Sequence, residues 1–169
     1  FFCQPIFDPT YAHEFTPDQR ARAADEVSRF RAITAQHAEV TLIHTDCHFS
    51  NMVFHDDTVT LIDWAECGRG SRFYDVGVAM HAITYHKERS RDNMRAFIAS
   101  YFGRSTLTDD EHAMINAYIR QRFLEGMIWH LDEPPEVQQA EYAENRQWIA
   151  DCLQHATTFT LRSWLDTSV

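Results

Sequence analysis

Lysine is almost missing from this chain. Of its 169 residues only Lys87 is one, and arginine and lysine together number 15 against 25 aspartates and glutamates. The formal net charge of −10 excludes the clustered cations that a nucleic-acid partner requires. Glycine is scarce as well. Two of the five glycines fall in "GRGSR", and no glycine-rich loop of the kind that cradles phosphates is present. The four cysteines (Cys3, Cys47, Cys67, Cys152) are scattered without a CxxC pair, which excludes a disulfide framework and leads to the expectation of a reducing, cytoplasmic setting. No apolar run approaches the ~18 residues of a membrane span, so no membrane partner is expected. No signal-peptide pattern opens the chain.

What is present is material for a core. Hydrophobic residues make up 44% of the sequence and aromatics 13%, with 12 phenylalanines. That composition specifies one folded domain. Thr16, Pro17 and Gln19 read as the N-cap, first position and capping-box partner of a helix over 17–37. "EVTLIH" is a short β-rich run. "NMVFHDDTVTLIDW" reads as two strands about a His-Asp-Asp turn, and "GRGSR" as a loop. Helix resumes near Asp75, with Val76, Ala79 and Ile83 on one face. A further helix around "NMRAFIASYF" stops at Gly103. Thr108 and Glu111 form a second capping box, ahead of a helical pattern through Met114, Ile115, Tyr118, Phe123, Met127 and Leu131 that Pro134 and Pro135 end. A last helix is expected over 136–164. The fold class is therefore mainly α with a small β-hairpin region.

The polar residues crowd into "HTDCHFSN", residues 44–51, between two apolar runs. Phosphoryl transfer asks for such a group. It needs a carboxylate beside the attacking hydroxyl, hard oxygen ligands for a metal that neutralises the triphosphate, and a scaffold that fixes both. Asp46 suits the base. Asn51 offers an amide oxygen, and Asp63, at the far end of the hairpin, should converge on it. Oxygen donors of this kind suit Mg²⁺; zinc would draw on His44, Cys47 and His48, which lack a paired partner motif.

"HTDCHFSN", then "LIDW", then "RFYDVGVAM" resembles the aminoglycoside phosphotransferase and choline kinase family. The resemblance covers roughly residues 15–165 and implies the C-terminal lobe of a protein-kinase-like fold. It implies Asp46 as catalytic base, Asn51 and Asp63 as magnesium ligands, and ATP or GTP as phosphoryl donor. His44 would brace the loop, His48 would brace it or meet phosphate, and Asp75 would support it structurally. Thr45 stands where the family has glycine, so an ordinary backbone conformation is expected there and a slightly different loop. The glycine of D-F-G is absent from "DWA" and no A-P-E follows, which disfavours a protein kinase of the eukaryotic type.

The family also uses an amino-terminal lobe with a phosphate-covering loop and a strand lysine, and neither is legible here. The expectation is one domain comprising a hinge segment over 1–15, the catalytic loop and metal-binding hairpin within 16–75, and a helical substrate region over 76–169. The apolar start (Phe1, Phe2, Ile6, Phe7) would have left a missing lobe and would promote self-association. The expected acceptor is a small-molecule hydroxyl compound, with the acidic surface compatible with a cationic one. Rival readings are a kinase of choline, homoserine, a sugar or protein serine, and a silent kinase-like binding module.

Overall fold

In the computed structural model, residues 4–8, 11, 13–37, 39–85, 90–128 and 142–166 are described. Phe1, Phe2, Lys87, Leu131, Pro134 and Pro135, on which several expectations fall, lie outside them.

Helices dominate, and the strands are short. The order is α1 (Gln4–Phe7), α2 (Pro17–Thr34), β1 (Thr41–Ile43), a single 3-10 turn (Phe49–Asn51), β2 (Met52–His55), β3 (Thr58–Leu61), β4 (Gly68–Gly70), α3 (Arg72–Tyr85), α4 (Ser90–Phe102), α5 (Asp109–Gly126), α6 (Tyr142–Thr158) and α7 (Leu161–Asp166). The fold class is the one expected from the sequence. No described helix is long and apolar enough to cross a membrane.

Both capping boxes form. The Thr16 N–H donates to Gln19 Oε1 (2.8 Å) and the Gln19 N–H to Thr16 Oγ1 (3.2 Å). Thr108 and Glu111 repeat the exchange at 2.8 and 3.2 Å. Each pair satisfies donors that a helix start otherwise leaves open. Gly103 ends α4 with φ +65°, the left-handed conformation that glycine adopts without penalty.

Several boundaries differ from expectation. α2 stops at Thr34 and α5 at Gly126. The last helix is two helices, because Thr160 caps a new start. Its Oγ1 accepts from the Ser163 N–H (3.2 Å), and Asn116 Oδ1 takes the Leu161 N–H (2.7 Å). "GRG", read as loop, is strand β4, antiparallel to β1 with Thr41 opposite Gly70. In the segment read as a hinge, Gln4–Phe7 makes one helical turn and Ile6 is fully buried, while Phe7 is exposed.

The chain divides into two compact units. One comprises Phe1–Ala32 and Arg120–Phe159, the other Ile33–Ile119 and Thr160–Val169. In the first, Val27, Phe123, Ile149 and Leu153 are core residues. Buried Glu26 accepts from Arg120 Nη1 (3.3 Å), whose Nε–H donates to the Phe159 carbonyl (2.8 Å). A buried carboxylate needs such partners to remain charged.

The second unit carries both strand pairs, α3, α4 and α7. Val76, Met80, Ile83, Met94, Ile98 and Ile115 fill its core. Gly77 of α3 lies against Tyr118, where a Cβ would stand 2.4 Å from the tyrosine Cβ. That close approach is what the glycine permits. His81 is buried on the same helix.

Candidate active site

All six residues singled out in the sequence lie in the second unit, and five of them share one hydrogen-bond network. β1 delivers the chain to His44, which is 1% exposed. The His44 N–H donates to Asp75 Oδ2 (2.8 Å), and the next N–H, of Thr45, donates to Asp75 Oδ1 (2.9 Å). Asp75 sits in the first turn of α3, where the helix N-terminus favours a carboxylate. Its two oxygens thus hold two successive backbone donors of the loop.

Thr45 was expected to take an ordinary conformation, and it does not. Its φ is +72°, left-handed, in a β-branched residue for which that region is unfavourable. The chain keeps the geometry that glycine would give and holds it by force: Asp75 anchors the N–H, and Thr45 Oγ1 donates to the Glu66 carbonyl (3.1 Å). Strain of this sort costs ~1–3 kcal/mol and persists where the surroundings over-determine it.

The two histidines have assignable tautomers. His44 Nδ1 faces the Asp46 N–H (3.3 Å) and must accept from it, so Nε2 carries the proton and donates to the Ile62 carbonyl (2.8 Å). His48 Nδ1 likewise accepts from the Ser50 N–H (3.3 Å), and its Nε2–H donates to Asp46 Oδ2 (3.0 Å). Neither ring has a lone pair left for a metal, which removes the zinc reading of His44 and His48. Among the described residues, no three His, Cys, Asp or Glu side chains are grouped to hold a metal ion.

Asp46 is the centre of the loop. Its Oδ2 also accepts from Asn51 Nδ2 (2.9 Å), which bonds the Asp46 carbonyl as well (2.9 Å). With 38% of its side chain exposed, the carboxylate is both oriented and reachable. Asn51 is committed through its nitrogen, and its Oδ1 has no hydrogen-bond partner among the described residues.

The hairpin register sets Met52 opposite Leu61, and the Ile62 N–H continues the ladder to the Asn51 carbonyl (3.0 Å). Asn51 therefore lies opposite Ile62, and Asp63 follows immediately, exposed, with φ +62°. Two hard oxygen groups thus end adjoining strands, and this donor set fits Mg²⁺.

Sequence reasoning missed two supports. Trp64 packs edge-on against the His44 ring (4.6 Å between centroids), and its Nε1–H donates to the Leu61 carbonyl (2.9 Å). The signal available was the aromatic directly after Asp63. The other is Glu66, which acts through its carbonyl and so leaves no mark in residue type. Cys47, between the polar residues, has its thiol pushed up to about 11, first by burial and then by the negative charges of Asp75 and Asp46. It is a protonated, inert wall.

A strand, a carboxylate loop, a hairpin and a supporting helix in this order are the arrangement of a kinase-like phosphotransferase. Comparison with family models gives the class its name: the phosphotransferase enzyme family (APH) matches residues 7–114, well over half of the chain, and the chain belongs to that family. The match takes in every residue of the candidate site. No curated protein matches the chain.

Proposed function

We propose that this chain is the catalytic lobe of an enzyme that moves the γ-phosphoryl group of ATP, or GTP, to the hydroxyl of a small molecule. The observation that carries the reading is the Asp46 carboxylate, oriented at Oδ2 by His48 and Asn51 and left accessible to an incoming hydroxyl. Asp46 accepts the hydroxyl proton as the acceptor oxygen bonds to the γ-phosphorus. The bond from that phosphorus to the bridging oxygen breaks, and the nucleoside diphosphate leaves. Asn51 Oδ1 and Asp63 would hold magnesium, which when bound offsets the charge of the triphosphate. His44 and Asp75 act through the backbone by fixing the loop that carries Asp46.

The phosphate-covering loop and strand lysine of such an enzyme are contributed, in this reading, by a lobe beyond these residues. Support comes from apolar side chains exposed on the hairpin and just after it, among them Val53 (48%), Ile62 (43%) and Trp64 (44%). In the complete enzyme, Asp46→Asn lowers turnover by about 10²–10⁴-fold with little change in nucleotide binding. Asp63→Ala instead weakens magnesium-nucleotide binding itself. Near-normal turnover by Asp46→Asn would remove the carboxylate from the role of base.

A further inference from the structure

Beside the catalytic loop, within the same unit, lies a cavity of about 600 Å³, in the size range of small-molecule sites. Three elements wall it besides the loop. The hairpin contributes Phe54 and Val59, which face each other across the strands. α3 contributes Ile83, and α4 contributes Ala96, Phe97 and Ser100. The loop closes it with Cys47 and His48.

Two features of this wall bear on its occupant. First, no carboxylate is among the described residues that line it. An ammonium group set against this wall gives up part of its hydration and gains no counter-charge from the residues that line it. Second, its hairpin side chains are held wet: Phe54 is 64% exposed and Val59 55%. A ligand with an apolar body covers them. The polar groups of the wall are few, chiefly the His48 imidazole and the Ser100 hydroxyl. His48 is also the residue whose Nε2–H reaches Asp46. A hydroxyl carried on an apolar body in this cavity therefore stands beside the group that orients the base.

We propose that this cavity is the acceptor site and that the acceptor is a neutral, largely apolar alcohol, not a polycationic amino sugar. The inference rests on the phosphotransferase reading of Asp46. The overall charge of −10 argues otherwise only at long range, where salt screens it, whereas the cavity wall acts at contact.

The test uses 17β-estradiol, a rigid apolar alcohol, and neomycin, a polycation, as probes of the 169-residue chain by calorimetry. Estradiol is expected to bind about tenfold or more tightly than neomycin. Ala96→Trp, at an exposed helix position, fills the cavity and should weaken estradiol by about tenfold or more. Val59→Lys, which sets a cation on the exposed hairpin wall, should do the same, so the result does not hang on the folding of one variant. Tighter binding of neomycin, or estradiol binding indifferent to both substitutions, overturns the proposal. Either outcome leaves the role of Asp46 standing, because the Asp46→Asn turnover measurement reads that role separately.

Discussion

Asp75→Asn removes one oxygen from the carboxylate that holds the loop, and its cost can be worked from the geometry. In the native chain the His44 and Thr45 N–H groups each donate to a different oxygen, at 2.8 and 2.9 Å. Bonds to a charged acceptor contribute ~1.5–3 kcal/mol each. An asparagine keeps one of them at the neutral strength of ~1 kcal/mol, and its NH₂ confronts the other donor, leaving that N–H unpaired at ~1–3 kcal/mol. Loss of the charge in the first turn of α3 adds ~0.3–1 kcal/mol. The sum is roughly 2–6 kcal/mol, centred near ~4 kcal/mol, or a fall in Tm on the order of 10 °C for a chain of this length.

The same two bonds hold Thr45 at φ +72°, so the perturbation couples to the strain. In a Thr45→Gly background there is no strain to release when the anchor is lost, and Asp75→Asn should cost ~1 kcal/mol more. Thermal unfolding of the four proteins followed by circular dichroism measures both quantities. A single variant melting within about 2 °C of wild type would refute the assignment of Asp75 as the anchor. Equal costs in the two backgrounds would refute the link between the anchor and the strain.

Other consequences are as direct. Gly77→Ala should destabilise by roughly 1–3 kcal/mol in urea unfolding, since its Cβ would stand 2.4 Å from Tyr118 Cβ; an unchanged midpoint would show slack between α3 and α5. Burial opposes ionisation of Glu111, but hydrogen bonds from Arg104 and Thr108 outweigh it and lower the pKa. The stability that this charge contributes is present above the usual carboxylate range and is lost as pH falls through the lowered value. The melting temperatures of wild type and Glu111→Gln should therefore converge in acid, and a gap that persisted there would contradict the charge-based account. With its thiol at about 11, Cys47 is thiolate to roughly one part in a thousand at pH 8, so iodoacetamide should label exposed Cys67 well before it; mass mapping showing Cys47 first would be contrary.

Features set by near neighbours were legible in the sequence. The capping boxes at Thr16 and Thr108 and the turn at Asp56 and Asp57 each depend on residues within a few positions, and each appears where the residues place it. The polar loop over residues 44–51 was legible because its spacing is itself local. What was not legible depends on partners far along the chain. β4 is two glycines and an arginine, with no β-branched residue to mark it, and it is a strand because β1 pairs with it. Thr45 takes a glycine-like conformation because of a carboxylate 30 residues on. The break between α6 and α7 was a misreading of available information, since Thr160 is an ordinary N-cap type lying in an otherwise helical run.

The two units alternate along the chain, and this orders events on the ribosome. Synthesis delivers part of the first unit, then most of the second, then the remainder of the first, and last the segment that closes the second. That closure is α7, whose Trp164 and Leu165 carbonyls accept hydrogen bonds from Arg91 and Arg95, 73 and 70 residues earlier. At about 5–20 residues per second, the α4 arginines wait several seconds for their acceptors. During that interval the nascent chain already carries the Asp46 loop and the exposed apolar hairpin, on a scaffold not yet closed. Of the two units, the one that holds the candidate site is thus completed second. A chaperone that covers the hairpin of the emerging chain would guard it for longer than the helical content alone suggests.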